Sequence, residues 1–350
     1  MIAVKRLLLV GYFGFENLGD ELLLVCLLDY INKKLPDIKP LILYSRALPE
    51  VYGGEVIPRR RLISGIRMAD GICFAGGSIL QDVTSLRSLI YYLGIILISL
   101  FMKKPVIMVS QGIGPIRSRL GRIFIRILNS VYSISLRDEE SLRLLDDLGI
   151  NKPRRYLGND LVFFLDLERL KRLSSDRMRD VLISVRESPG FREDEFLEAF
   201  SRFKDRYNTD MAILVTHTSD DRDISERFAR RLNCDLIFWE DPLSVIHTIS
   251  SFRFVISMRL HPLILSALLG IPFAGIIYDP KVRSFTSLFP GIYSLDVDSR
   301  SEEIEKALSL SWENREMIVS SISAFKSMAL NMEDTFKPLY DIYDVWSKDR

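Results

Sequence analysis

The chain reads as an α/β protein built from two Rossmann-like, doubly wound parallel-sheet domains. Three observations predict this. A length of 350 residues corresponds to about two domains of ~150 residues each. Apolar runs of strand length alternate with helical segments almost from end to end. The runs are also continuous in Val, Ile and Leu rather than alternating with polar residues, as expected of strands buried on both faces.

In the first half the strand-like runs are residues 6–12, 40–44, 71–75, 105–110 and 133–136, with a short stretch near Tyr156. In the second half they are 181–185, 211–215, 235–238, 254–257 and 273–277. Helical segments between successive runs require parallel strands with crossover helices on both sheet faces. Apolar periodicity lapses in the charged stretch 166–180. The break is therefore expected there, separating a first domain, 1–165, from a second, 178–325. The last helical region, 301–348, has no strand after it, and residues 326–350 are expected to pack back on the first domain as a C-terminal helix.

Net charge is only +1, but the halves differ. Residues 1–160 hold 22 Lys and Arg against 15 Asp and Glu, giving +7; the remainder holds 25 against 31, giving −6. A basic half points to an anionic substrate or an anionic lipid surface. Charge alone would also fit nucleic acid, but no recognised nucleic-acid-binding motif accompanies it, so none is expected as a partner. Cys26, Cys73 and Cys234 lie far apart in apolar contexts. They read as reduced thiols of an intracellular protein rather than a disulfide framework. The apolar run after Lys5-Arg6 is too short for a signal peptide and reads as the first strand.

The segment 89–102 is apolar nearly all round as a helix and is followed by Lys103-Lys104. It is shorter than the ~20 residues that cross a bilayer. Two readings stay open: a helix buried between sheet and neighbour, or one presented to a membrane interface with Arg117, Arg119, Arg122 and Arg126 beside it.

Polar residues collect at the strand ends, where open parallel sheets bind ligands. After the first strand, Gly11, Gly14 and Gly19 permit close backbone approach around Asn17, Asp20 and Glu21. This is either a substrate loop or a helix start with Asp20 as N-cap and Glu21 in the first turn. It lacks dinucleotide-fingerprint spacing. Gly76-Gly77-Ser78 with Gln81-Asp82, Gln111-Gly112, and Arg137-Asp138 follow three further runs of the first half, Arg137 being its best anion contact. In the second half, Arg186 follows one run, and His217 follows another with Asp220-Asp221 close behind. His217 reads equally as a loop-surface residue, and His247 as structural. Arg259 and His261 share a strand end, His261 preceding Pro262, a typical helix-start residue. Asp279 and Lys281 lie one helix and one strand later. Two D-x-D triplets, at 221–223 and 296–298, are too common a pattern to support a metal site, and none is expected.

At these residues the chain resembles the polysaccharide pyruvyl transferase family, in particular its CsaB-like branch acting on bacterial cell-wall polymers. The matching segments are 11–21, 76–82, 111–115, 136–141, 159–160, 259–261 and 278–282, in the family's order. The chain departs from the family's usual Ala-Asp-Pro triplet at 158–161 and from its third glycine at Ser78.

The resemblance implies a GT-B-like fold with a cleft between two lobes. It implies transfer of the enolpyruvyl group of phosphoenolpyruvate, a co-substrate rather than a cofactor, onto two hydroxyls of a hexose, typically N-acetylmannosamine. The acceptor would be a cell-wall polysaccharide or its lipid-linked precursor, of the kind used in S-layer anchoring. It implies catalysis by His261 with Arg259 and Asp279, the latter either orienting His261 or binding a sugar hydroxyl. Arg137, Arg259 and Lys281, with Arg186 and His217, would hold the donor; Asn17, Asp20, Glu21, Gly76, Gly77 and Gln111 would meet the acceptor. A lipid-linked acceptor would place the chain in the cytoplasm, peripheral on the inner face of the plasma membrane. The main competing expectation is a nucleotide-sugar-dependent GT-B glycosyltransferase, and a non-catalytic polysaccharide- or lipid-binding scaffold stands behind it.

Overall fold

The computed structural model describes residues 4–46, 54–83, 85–174, 176–329 and 333–348. The chain forms two compact units. Unit 1 comprises Met1–Phe15, Asp20–Leu161 and Met332–Arg350; unit 2 comprises Glu16–Gly19 and Val162–Asn331.

Unit 1 carries a seven-stranded, all-parallel sheet. Its strands are β1 (Lys5–Val10), β2 (Ile38–Tyr44), β3 (Glu55–Pro58), β4 (Gly71–Ala75), β5 (Val106–Gln111), β6 (Ser133–Leu136) and β7 (Arg154–Leu157). The order β3-β2-β1-β4-β5-β6-β7 reverses direction between β1 and β4, the switch point of a doubly wound sheet. Leu7, Leu8, Leu9 and Val10 of β1 are wholly buried, each contributing roughly 1.5–3 kcal/mol of transfer free energy. Helices α1 (Leu18–Lys34), α2 (Leu62–Met68), α3 (Leu86–Phe101), α4 (Arg119–Phe124) and α5 (Glu139–Asp147) connect these strands.

Unit 2 repeats the plan with six strands in the order β10-β9-β8-β11-β12-β13. These are β8 (Arg179–Ser184), β9 (Met211–Leu214), β10 (Asp235–Ile237), β11 (Phe252–Ser257), β12 (Phe273–Ile277) and β13 (Leu295–Asp296). Direction reverses between β8 and β11. Its helices are α6 (Leu167–Leu173), α7 (Glu193–Tyr207), α8 (Thr218–Leu232), α9 (Ser244–Ser250), α10 (Leu260–Leu269), α11 (Pro280–Thr286), α12 (Ser301–Glu313) and α13 (Arg315–Ala329). The fold class is thus two parallel-sheet α/β domains.

Three features differ from the sequence expectation. Strands β3 and β13 have no counterpart among the predicted runs. The units divide at Leu161 and Val162, just before the charged stretch 166–180, in which Asp166 caps α6 by accepting from Glu168 N at 2.9 Å. Residues 326–329 close α13 within unit 2, whereas α14 (Lys337–Lys348) belongs to unit 1. There Trp346 Nε1 donates to Asp70 O at 3.1 Å and Tyr156 donates to Asp341 Oδ2 at 2.9 Å. Tyr30 stacks on Phe336 at 3.5 Å between centroids.

Candidate active site

In unit 2, four adjacent strand ends bring polar groups to one sheet edge. Arg186 follows β8, Thr216 and His217 follow β9, Arg259 follows β11, and Tyr278 follows β12. The β8–β11 pair is the switch point, where crossover helices diverge and leave a ligand crevice in such sheets.

Arg259 is fixed at both ends. Its main chain exchanges hydrogen bonds with the Ser257 hydroxyl, at 2.9 Å to the amide and 2.8 Å to the carbonyl. Its guanidinium forms a two-point pair with Asp221, Nε to Oδ2 at 3.0 Å and Nη2 to Oδ1. Asp221, in the first turn of α8, is fully buried. It also accepts from Thr216 Oγ1 at 2.9 Å and from His217 N at 3.1 Å. Burial disfavours the Arg259 cation, but Asp221 more than offsets this and raises its pKa. One edge of the Arg259 fork, Nε and Nη2, is thus committed to a buried carboxylate, a partner the sequence did not indicate.

Tyr278 lies among cations. Arg186 Nη1 donates to its hydroxyl at 3.3 Å, with the guanidinium 4.8 Å from the ring centroid. Lys281 Nζ is 6.0 Å from the same ring. Burial pushes the phenol pKa up, but Lys281, Arg259 and Arg186 together outweigh it and lower the pKa below the ordinary tyrosine value. The cluster is thus suited to stabilising negative charge. Asp279 caps α11, accepting from Lys281 N at 3.0 Å, and pairs with Lys281 Nζ at 3.5 Å. That is a structural duty not expected from the sequence, and it tempers the positive charge of Lys281.

His261 is the second residue of α10 and is half-buried. The segment Glu16–Gly19, itself part of unit 2, lies against it. A Cβ on Gly19 would fall 2.0 Å from His261 Nδ1, so the imidazole rests on bare backbone. The segment is held by Leu18 N donating to Thr216 O at 2.9 Å and Thr218 N donating to Glu16 O at 3.2 Å. Asn17 forms an antiparallel bridge with His217. Glu16 adopts a φ of 58° to make this turn, a conformation costing roughly 1 kcal/mol or more for a non-glycine residue. His217 is buried, not on a loop surface, and its Nδ1 lies 2.7 Å from Asp220 Oδ2.

Unit 1 gathers a second cluster at the ends of β4, β5 and β6. Arg137 Nη1 donates to Asp160 Oδ2 at 3.1 Å and Nη2 to Ser78 Oγ at 2.6 Å. Both charged partners are nearly buried, with side-chain exposures of 6% and 5%, so Arg137 is a neutralised cation rather than an open anion contact. Its guanidinium lies across Gly112, where an added Cβ would meet it at 2.8 Å. Gln111 is wholly buried, and its Nε2 donates to Gly76 O at 2.9 Å. Glu21 is buried as well, accepting from Gly14 N at 2.7 Å and from the Tyr44 hydroxyl at 3.0 Å. Gln111 and Glu21 are thus buried and tie neighbouring loops together. Gly76 and Gly77 have φ of 60° and 76°, and Asp20 Oδ1 lies 2.9 Å from where a Gly77 Cβ would be. Asp20 is not the helix cap: α1 begins at Leu18, and Asn17 Oδ1 accepts from Gly19 N at 3.1 Å.

The structure thus brings together Arg186, His217, Arg259, Asp279 and Lys281 in unit 2, where His261 and Asn17 also lie. It brings together Asp20, Glu21, Gly76, Gly77, Gln111 and Arg137 in unit 1. Sequence reasoning passed over Asp221 as the partner of Arg259, Asp160 as the partner of Arg137, and Tyr278 as a member of the cationic cluster. The available signals were an acid four residues after His217 and an aromatic directly beside Asp279. Among the described residues, no group of three or more His, Cys, Asp or Glu is placed to hold a metal ion.

A model of the polysaccharide pyruvyl transferase family matches residues 17–280. No curated protein matches the chain. Among solved structures, the chain is similar to a glycosyltransferase from Rickettsia africae, at 11% identity and TM-score 0.64, covering 100% of both chains. It is similar to Anabaena HepE in complex with UDP-glucose, at 11% identity and TM-score 0.59, covering 98% of this chain and 100% of that one. It is also similar to the UDP-GlcNAc 2-epimerase of Neisseria meningitidis bound to UDP-GlcNAc, at 15% identity and TM-score 0.59, covering 95% of each. At these identities the likeness shows the fold alone, that of GT-B glycosyltransferases and epimerases.

Proposed function

Because this chain belongs to the polysaccharide pyruvyl transferase family, we propose that it moves the enolpyruvyl group of phosphoenolpyruvate onto two hydroxyls of a cell-wall hexose. The observation that carries the donor assignment is the set of three cations, Arg186, Arg259 and Lys281, around Tyr278 at the strand ends of unit 2. A phosphate and a carboxylate on one small molecule call for such a set, since guanidinium groups bind both with paired hydrogen bonds.

The steps follow from the donor's chemistry. A proton delivered to the methylene carbon converts it to a methyl group and leaves an oxocarbenium-like centre at the adjacent carbon. One sugar hydroxyl attacks that centre and gives up its proton. A second hydroxyl attacks the same carbon as its bond to the phosphate oxygen breaks, and the proton of that hydroxyl passes to the departing phosphate. The products are a cyclic pyruvate ketal and inorganic phosphate. His261 is the acid and base of the proposal, held against Gly19. Arg186, Lys281 and Arg259 hold the anionic groups, with Asp221 fixing the orientation of Arg259. The acceptor is proposed as N-acetylmannosamine in a polysaccharide or its lipid-linked precursor, with S-layer anchoring as the end use. Asn17, Asp20 and the Gly76-Gly77 turn are proposed to meet it.

The fold neighbours solved with uridine diphosphate ligands favour a second reading, nucleotide-sugar-dependent glycosyl transfer. Supplying a synthetic lipid-linked disaccharide with phosphoenolpyruvate separates the two. Acceptor-dependent phosphate release supports the proposal; release of uridine diphosphate from a nucleotide sugar, with phosphoenolpyruvate inert, refutes it.

A further inference from the structure

Residues 83–137 of unit 1 hold eight Lys and Arg and no Asp or Glu. Within this stretch lie α3 and α4, which pack against each other. One face of α3 is anchored in the core by Leu89, Tyr92, Leu93, Ile95 and Ile96. The opposite face is the unusual one. Ile90, Leu97 and Phe101 are 45%, 59% and 88% exposed, and with Arg87 and Gly94 they recur at spacings of three and four, forming one stripe. Around Gly94 the stripe is open, with nothing within 4 Å of an added Cβ. Short helix α4 adds Leu120, Ile123 and Phe124, which are 53%, 62% and 45% exposed.

A helix at a protein surface ordinarily turns polar residues to water. Here the outward face is apolar, and contiguous exposed apolar surface marks an interaction site. Exposed Arg87, Lys103, Arg119 and Arg122 border it. The nearest preceding acid, Asp82, is engaged by the backbone N–H groups of Arg117 and Ser118, each at 2.7 Å. No helix of the described residues is long and apolar enough to cross a membrane. An apolar stripe bordered by cations fits the boundary between acyl chains and anionic headgroups. A polynucleotide would satisfy the cations but leave Leu97 and Phe101 without a partner.

We infer that α3 and α4 dock unit 1 on the surface of an anionic bilayer, with Leu97, Phe101 and Ile123 entering the interface and the flanking arginines meeting lipid phosphates. Such docking does not depend on the reaction proposed above, and its test uses no substrate. The full-length chain is cosedimented with vesicles of phosphatidylglycerol and phosphatidylcholine, and with vesicles of phosphatidylcholine alone. Each cation near such a surface contributes roughly fivefold in partitioning, so the mixed vesicles should retain at least about tenfold more protein. Leu97→Asp/Phe101→Asp and Arg119→Glu/Arg122→Glu should each lower that binding by about tenfold or more. Their melting temperatures should stay unchanged because all four side chains are exposed. Soluble phosphate should not release the protein, and added salt should weaken retention. Equal retention of the wild type on both vesicle types, or unchanged binding by both variants, overturns the inference. So does release from vesicles by duplex DNA. A dimer that Leu97→Asp/Phe101→Asp dissociates, without vesicle binding by the wild type, overturns it in favour of a second copy of the chain.

Discussion

Replacing Asp221 with asparagine tests the electrostatic frame of unit 2. The wild-type carboxylate is fully buried and receives hydrogen bonds from both edge nitrogens of Arg259, from Thr216 Oγ1 and from His217 N. Asparagine keeps the shape, and one oxygen still accepts. Its amide nitrogen, however, sets N–H donors against the N–H donors of Arg259 and leaves the cation without a counter-charge. Breaking a buried ion pair costs about 3–5 kcal/mol. The Arg259 side chain retains 15% exposure, so water relieves part of this and about 3 kcal/mol is the fitting value. For a unit of roughly 170 residues, about 1 kcal/mol moves Tm by about 2–4 °C. Calorimetry of Asp221→Asn should therefore show unit 2 melting about 6–12 °C lower. Combining it with Arg259→Met should restore part of the loss, because the uncompensated charge is gone. A shift of Asp221→Asn below about 1 °C, or strictly additive losses in the double variant, would refute the pairing as the source of stability.

Three further outcomes follow from the same geometry. Gly19→Ala places a methyl 2.0 Å from His261 Nδ1, so the ring must swing away and turnover should fall about tenfold or more; in an His261→Ala background the substitution should cost nothing further in rate, which single- and double-variant kinetics check. His261→Ala should reduce phosphate release about 10²–10⁴-fold while donor binding persists, the usual contribution of general acid–base catalysis, and an unaltered rate would remove His261 from the chemistry. Tyr278 has a lowered pKa, so its phenolate should form at lower pH than that of a free tyrosine, whereas Tyr92 and Tyr156, pushed up to about 12 mainly by burial, ionise later; ultraviolet titration of Tyr278→Phe should lose the earliest tyrosinate step, and an unchanged curve would contradict the cationic cluster.

The fold was legible in the sequence because buried parallel strands declare themselves locally. Val10, Phe74, Ile183, Ile256 and Ile276 each sit in an uninterrupted apolar run and are wholly buried, so composition alone locates β1, β4, β8, β11 and β12. The missed strands lack that signal. β3 is an edge strand in which only Ile57 is buried, and β13 has two residues. The candidate site was legible as a set of strand-end residues, because sheet topology dictates where those ends fall. Its pairings were not. Asp221 and Arg259 are separated by 38 residues, and Asp160 meets Arg137 across 23; nothing local chooses such partners. The start of α1 shows the limit of capping rules. Asn17 and Asp20 are comparable caps by preference, and the choice of Asn17 goes with tertiary contacts, where Leu18 N reaches Thr216 O and Asn17 bridges His217. Glu21 and Gln111 looked like ligands because they are polar residues at strand ends, yet both are buried and bonded to neighbouring elements, Glu21 to Gly14 N and the Tyr44 hydroxyl and Gln111 Nε2 to Gly76 O.

The central claim is that the cations around Tyr278 receive an enol phosphate, and calorimetric titration of phosphoenolpyruvate into the intact chain tests it most directly. The account predicts saturable binding that weakens about tenfold or more in Arg186→Ala, the loss of one charge-assisted contact. Failure of phosphoenolpyruvate to bind, with a uridine diphosphate sugar binding in its place, would contradict it.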